Sequence, residues 1–300
     1  MAGANDRITD VQVIASYNWK DQDNACILVP GERSIASLCA MPYGPMHLVA
    51  NANWQANSFR AVYAEVLDGR VVITRTSKQT HGLIQANEYE GYRKGFEEHH
   101  LTTQVDVRGS SSHHRIVSYK LGGIPILLRY AADACLSPRR ISIITGTETS
   151  FDKLKVIKRG NVVPHCHTAE ISTRSYKTGM DDYDEQKTPS LWLAQTPTFI
   201  LAISVSTRYS ETVTGRRSTF SIQNTKIRDS AADVRKWEQD HSGDIAKLVD
   251  VLKDLLTLLE AKAALANGEA GSVFEIRRGE GRANMWLRRP ELELQGWGKT

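Results

Sequence analysis

No run in this sequence approaches eighteen uninterrupted apolar residues, so no membrane-crossing helix is expected. The opening, MAGANDRITD, lacks the basic and then apolar build of a secretory signal. Both absences point to an intracellular protein of nucleus or cytoplasm. Cys26, Cys39, Cys135 and Cys166 form no CxxC pair. In a reducing compartment they read as buried small side chains or free thiols rather than a disulfide framework. There is no GxxxxGK followed by Ser or Thr, no GxGxxG after a strand and no GxSxG. Nucleotide-hydrolase, dinucleotide and serine-hydrolase chemistry therefore has no foothold. Aromatic residues make up only 7% of the chain and are thinly interleaved with basic ones, which argues against a single-strand stacking platform. A strong excess of one charge is missing too: the net +4 permits a phosphate-bearing partner without demanding one.

What remains is an ordinary globular composition, 41% hydrophobic and 24% charged over 300 residues, enough to bury a sizeable core. VQVIASYNW, from Val11 to Trp19, reads as a strand or extended packing segment. A loop-like stretch follows, rich in Gly, Pro, Ser and Asn. AVYAEVLDGRVVITR places two β-branched runs around Asp68-Gly69, a hairpin signal. NEYEGYRKGFEEHH predicts a short helix, with Tyr89, Tyr92 and Phe96 recurring three and four apart. HRIVSYKL, Gly122-Gly123 and IPILLRYAADACL predict a second hairpin. Its second strand is so apolar that it reads as covered on both faces. PRRISIITG and HTAEISTRS add strands, DEQKTPSLWLAQ a helix and PTFILAISVS a buried strand. TVTGRRSTFSIQ resembles one more hairpin. Residues 230–265 are helical, and SVFEIRR and NMWLRRPELEL are strand-like. Ile245, Leu248, Leu252, Leu255 and Leu259 form a two-heptad seam, read as packing on the sheet or, alternatively, on a protein partner. The expected class is α/β (α+β), a mixed sheet flanked by helices.

Two acids stand out on the strands. Asp133 ends the LLRYAADA strand, and Glu170 sits on AEISTRS. Metal-dependent phosphodiester hydrolysis needs acidic oxygens converging on one point and a group to orient or deprotonate water. Two adjacent strands can supply this, because residues two apart share a face. Two before Asp133, however, is Ala131, and two after Glu170 is Ser172. Neither a methyl group nor a hydroxyl does the work of an acid or a lysine there.

The run HHRIVSYKLGGIPILLRYAADACL, then AEISTRS, TPSLWLAQTPTFILAISV and DVRKWEQDHSGDIAKLVDVLKDLL, resembles a family of fungal proteins. Many of these carry an automated label as geranylgeranyl pyrophosphate synthetases. VIASYNW and ACILVPG match that family's opening. The label does not suit the residues. The chemistry needs two aspartate-rich motifs facing each other in a helical bundle, whereas this chain offers one acidic cluster, DDYDE from Asp181, among strands. That cluster reads better as an acidic first turn of a helix.

More remotely, the same elements resemble the DXO-type decapping nucleases of the PD-(D/E)XK class, over about Tyr89 to Ser206. The resemblance implies a PD-(D/E)XK-like core, with Asp133 and Glu170 as catalytic and metal-ligating acids for Mg or Mn. Glu97 or Glu98 would be the upstream helix acid, and Trp192 and Gln195 match a helix before a strand. Arg174, on Glu170's face, and Lys177 are candidates to replace the missing lysine. Arg115, Arg129, Arg174, Lys177 and Gln195 are the candidate contacts to nucleic acid. His113 and Arg115 would pair either with a phosphate or with the core. Removing one preorganised charged group costs on the order of a hundredfold to a thousandfold in rate, and two are absent here.

His165, Cys166 and His167 could form part of a zinc site, but no second pair at metal-ligand spacing accompanies them. Between Pro138 and Gly160, six basic residues stand against two acidic ones, a phosphate-tracking patch if they cluster on one face. The expectation is a single domain over 1–300, with a divergent segment 1–86, a nuclease-like core 87–210 and a C-terminal hairpin, helices and strands 211–300. The leading reading is a degenerate decapping-nuclease-like protein that binds RNA or nucleotide 5′ ends, or acts as a complex subunit, with weak or no catalysis. The alternatives are an active Mg- or Mn-dependent nuclease and a protein-interaction scaffold using the C-terminal helix.

Overall fold

The three-dimensional structure is a computed structural model that describes residues 7–21, 25–30, 62–67, 70–75, 93–101, 107–136, 143–151, 154–176, 183–212, 215–265, 272–278 and 285–288. In chain order the first strands are β1 (Ile8–Asp21), β2 (Cys26–Pro30), β3 (Val62–Leu67) and β4 (Arg70–Arg75), followed by helix α1 (Arg93–His100). Next come β5 (Ser112–Leu121), β6 (Ile124–Ala131), β7 (Ala134–Cys135), β8 (Ile143–Phe151), β9 (Leu154–Asn161) and β10 (Thr168–Ser175). Then follow α2 (Tyr183–Ala194), β11 (Thr198–Thr212), β12 (Gly215–Asp229), α3 (Ala231–Asp240), α4 (Ser242–Leu265), β13 (Ser272–Arg278) and β14 (Met285–Arg288). Among the described residues no helix is long and apolar enough to cross a membrane.

The strands form three sheets. The first runs β6-β5-β1-β2-β9-β8 and is antiparallel except between β2 and β9. The second runs β12-β11-β10-β7, with β10 and β11 parallel. The third, β14-β13-β3-β4, is antiparallel throughout. The expected α+β class with mixed sheets is what the chain adopts.

Alternation along β5 and β6 builds the main core. Val117, Tyr119 and Leu121 from β5, and Ile126, Leu128 and Tyr130 from β6, pack against Trp192 and Leu193 of α2 and Ile245, Val249 and Leu252 of α4. The other face of β6 is open: Leu127 is 61% exposed, and Arg129 is exposed beside it. A strand read as covered on both faces is thus covered on one, because β6 is the edge strand and the helices lie on a single side.

The α4 seam behaves as packing on sheets. Ile245 and Leu252 belong to the first core, while Leu255 and Leu259 are buried against Ala64 of β3 and Phe274 of β13. One helix therefore covers two sheets, and its apolar stripe is taken up within the chain. Helix α2 is likewise shared. Trp192 and Leu193 face the first sheet, and Leu191 packs on Phe199, Leu201 and Ile203 of the second.

Candidate functional site

The chain changes sheets just after β6. Ala132 makes a last bond to the first sheet, its N–H donating to the His113 carbonyl at 3.1 Å. Ala134 and Cys135 then pair with Ala169 and Thr168 of β10, and the Leu136 N–H donates to the His167 carbonyl at 2.6 Å. Asp133 stands at the crossing and is buried. Its Oδ2 accepts the Ile171 N–H at 2.9 Å. Because β7 is only two residues long, the backbone donor of Ile171 lies past the end of its ladder, and the carboxylate takes the place of a strand carbonyl. Leaving such a buried N–H unmet costs about 1–3 kcal/mol. The two acid-bearing strands are therefore neighbours, joined through Asp133 and the residue after Glu170.

Strand β10 has two different faces. Ala169 and Ile171 point to a layer with Phe96 of α1, Ala134, Ile200 and Ala202. Thr168, Glu170, Ser172 and Arg174, one residue out of phase, point to the other side. There Glu170 Oε1 lies 3.6 Å from Lys187 Nζ of α2, and Ser172 is buried. The position of Lys187 follows from register. Glu170 pairs with Phe199, Leu191 packs on Phe199, and Lys187 lies one helical turn before Leu191 on the same helix face. Glu97, next to Phe96 on α1, is buried. The structure thus brings Asp133 and Glu170 to neighbouring strands, with Arg174 on the Glu170 face of β10.

The first sheet comes close to β10 through Tyr130. Arg115 is 1% exposed and donates Nη2 to the Val163 carbonyl at 2.6 Å. Its cross-strand partner is Tyr130. Burial pushes the Tyr130 hydroxyl up to about 12, offset by Arg115 and by the hydroxyls of Thr168 and Thr196, while the Glu170 carboxylate pushes the same way as burial. Tyr130 therefore senses charges from both sheets. His165 Nε2–H donates to the Gln195 carbonyl at 2.7 Å, and burial followed by Arg115 holds this imidazole below its usual range. Gln195 ends α2 in a left-handed conformation, φ 52°, with its side-chain amide donating back to the Trp192 carbonyl. Its polar groups thus close a helix end. Arg129 lies on the other face of the first sheet from Tyr130, near Tyr17 and His114. Lys177 and the Asp181-Asp182 pair lie outside the described residues.

Residues 45–278 match the family model described as "Domain of unknown function (DUF8563)". The chain belongs to this family. No curated protein matches it. Among solved structures, a triple mutant of S. pombe Rai1 in complex with 3′-FADP shares 12% identity over 94% of each chain, with a TM-score of 0.50. The S. pombe Rai1 structure shares 13% over the same coverage, with a TM-score of 0.48. Candida albicans Rai1 in complex with pU5 and Mn²⁺ shares 9%, covering 78% of this chain and 63% of that one, with a TM-score of 0.42. The DUF8563 chain thus has the fold of the Rai1 and DXO decapping nucleases, as the remote resemblance implied.

Among the described residues few donors are placed for a divalent ion. Asp133 Oδ2 accepts a backbone N–H, Glu170 faces an ammonium, and Ala131 offers no ligand. Among the described residues no group of three His, Cys, Asp or Glu side chains is arranged to hold a metal. The 165–167 stretch is a 3-10 turn leading into β10, and Cys166 is an exposed free thiol.

At the start of β5, His113 and Arg115 are both buried and bonded within the chain. His113 Nδ1 bonds Asn18 Oδ1, and Asn18 Nδ2 donates to Ser110 Oγ at 2.9 Å. Its neighbour His114 stacks on Tyr17 with ring centroids 5.1 Å apart, and its Nε2 lies 3.0 Å from Ser112 Oγ. Burial, then Arg129 and His113, lower its pKa to about 4. A base whose folded pKa is depressed contributes stability that is fully present above its unfolded value and is lost as pH falls toward the folded one. Stability is therefore expected to fall between about pH 6.5 and pH 4, by on the order of 2–3 kcal/mol from this group. Urea midpoints across that range check it, and His114→Gln should flatten the slope.

Proposed function

We propose that this DUF8563 chain binds the 5′ end of RNA, or a nucleotide, between its first two sheets, and that it does so with weak or no catalysis. The observation that supports this reading is the state of the two acids. Asp133 is held by a main-chain donor and Glu170 by Lys187, within a fold shared with Rai1 over 94% of both chains. The positions that would complete a hydrolytic centre are Ala131 and a buried Ser172. What this side of β10 retains is charge suited to holding a phosphate, Lys187 and Arg174. Such a protein would act where RNA 5′ ends are exposed, in nucleus or cytoplasm, alone or as a subunit that presents the end to a partner.

Cleavage of 5′-labelled RNA in Mn²⁺ tests the reading, with Asp133→Ala and Glu170→Ala measured alongside the parent. The expected result is that all three bind 5′-phosphorylated RNA and none cleaves it above the buffer rate. Two absent groups predict a deficit of about 10⁴-fold or more relative to a complete centre. Cleavage by the parent that both variants lose would establish the active-nuclease reading instead. Failure of all three to bind RNA or nucleotide would remove the RNA-end reading.

A further inference from the structure

The charge pattern around Glu170 pairs one carboxylate with one ammonium. Ala131, where the hydrolytic pattern has a second acid, offers no ligand, and the cation beside Glu170 comes from helix α2. Lys187 Nζ stands 3.6 Å from Glu170 Oε1, with the two side chains 26% and 20% exposed. That separation exceeds the 2.7–3.2 Å of a closed N–H···O bond, and an ammonium carries three donors. One donor can face Glu170 while the others remain open toward solvent. Neither side chain is sealed in the core, and both lie on the side of β10 that carries Ser172 and Arg174.

We propose that the Lys187 ammonium occupies the electrostatic place of a divalent cation, so that the site holds the terminal 5′-phosphate of an RNA without metal. The proposal rests on the RNA-end reading above and adds which group binds the phosphate and what the binding does not need. Glu170 is a positioning residue here. It draws the lysine over the strand and, being an anion, opposes the incoming phosphate. A lysine binds phosphate as a compact point charge, which suits a site that must take an end rather than read a base. Helix α2 sets the position, because Leu191, one turn after Lys187, is fixed against Phe199 and Leu201.

Fluorescence anisotropy of the full chain with 3′-labelled oligoribonucleotides tests this, using 5′-monophosphate and 5′-hydroxyl ends in EDTA and in Mn²⁺. The expected result is a preference for the 5′-phosphate that is the same within about twofold in EDTA and Mn²⁺. Lys187→Gln should weaken 5′-phosphate binding about tenfold or more in both buffers, as for loss of a hydrogen bond to a charged group. Lys187→Arg should keep most of the binding. Glu170→Gln should tighten binding a few-fold, because the carboxylate charge that repels the phosphate is gone; at a metal site it would abolish binding. Calorimetric titration with Mn²⁺ alone should give no saturable heat in the parent. Thermal melts of each variant show that the fold survives.

Binding that appears only with Mn²⁺, or that Lys187→Gln leaves intact, overturns the substitution of lysine for metal while leaving the RNA-end reading in place. Absence of binding to either oligonucleotide in every buffer overturns the RNA-end reading itself.

Discussion

Trp192→Ala is expected to destabilise the protein by about 4 kcal/mol, in the range of large aromatic truncations in a core, and to lower the thermal midpoint by roughly 10 °C. The side chain is 1% exposed and packs in the main core with β5, β6 and α4. Its ring lies 5.4 Å from Trp237 of α3, which stacks in turn on His241. Its Nε1–H donates to Glu238 Oε1 at 3.1 Å. Deleting it leaves a void between α2, α3 and the first sheet, lined by elements that cannot collapse together. Trp192→Phe keeps a ring and loses the donor, so about 1 kcal/mol is expected. Chemical denaturation of the three proteins checks the order. The functional readout should follow, since α2 carries Lys187 to Glu170: phosphate-end binding should weaken in the alanine variant even where it remains folded.

Gly122→Ala should cost roughly 3 kcal/mol, and Gly123→Ala only about 1 kcal/mol. Both glycines form the β5–β6 turn with positive φ, 57° and 81°, so an L side chain strains either backbone. The difference lies in what a methyl group would meet. At Gly122 it would overlap the Val249 side chain of α4, whereas at Gly123 there is nothing within 4 Å. Val249 is 1% exposed and packed in the core, and a β-branched side chain on a helix has one strongly preferred rotamer. Relief therefore requires α4 to move off the hairpin. Equal costs at the two positions, measured by urea unfolding, would show that the turn–helix contact is looser than drawn here. Val249→Ala combined with Gly122→Ala should recover part of the loss, because the cavity of one accepts the methyl of the other.

The elements most legible in the sequence were those specified by neighbours along the chain. The β5–β6 hairpin announces itself through Gly122-Gly123 between apolar runs, and α4 through its seam of leucines. Strand β10 and the following βα unit were readable because alternation and helical period are both short-range. Strands β2, β7 and β9 were not. Two residues carry no period, and Lys155, Lys158 and Arg159 break up the apolar pattern of β9, whose exposed part keeps those charges in water. The pairing of β3 with β13 joins distant parts of the chain, and no local signal encodes it.

The site divides the same way. Asp133 and Glu170 could be found because an acid on an apolar strand is conspicuous. Lys187 could not, since its approach to Glu170 depends on which face of α2 meets the second sheet, and only the packing of Leu191 fixes that. That α1 packs on β10 through Phe96 is likewise invisible before the two are docked. From the sequence, Arg115 could pair with a phosphate or with the core. Its burial against the Val163 carbonyl is set by the inward-facing parity it shares with Val117 and Tyr119.

An aspartate at the place where a chain leaves one sheet for another does more than carry charge. It fastens the rim of the receiving sheet, and that duty is indifferent to whether any bond is cleaved nearby. Relatives of this protein should accordingly keep a short oxygen-bearing side chain at position 133 even where residue 170 has drifted to something inert. An acid retained there is a mark of architecture, and the fate of its neighbour across the strand is the better gauge of chemistry.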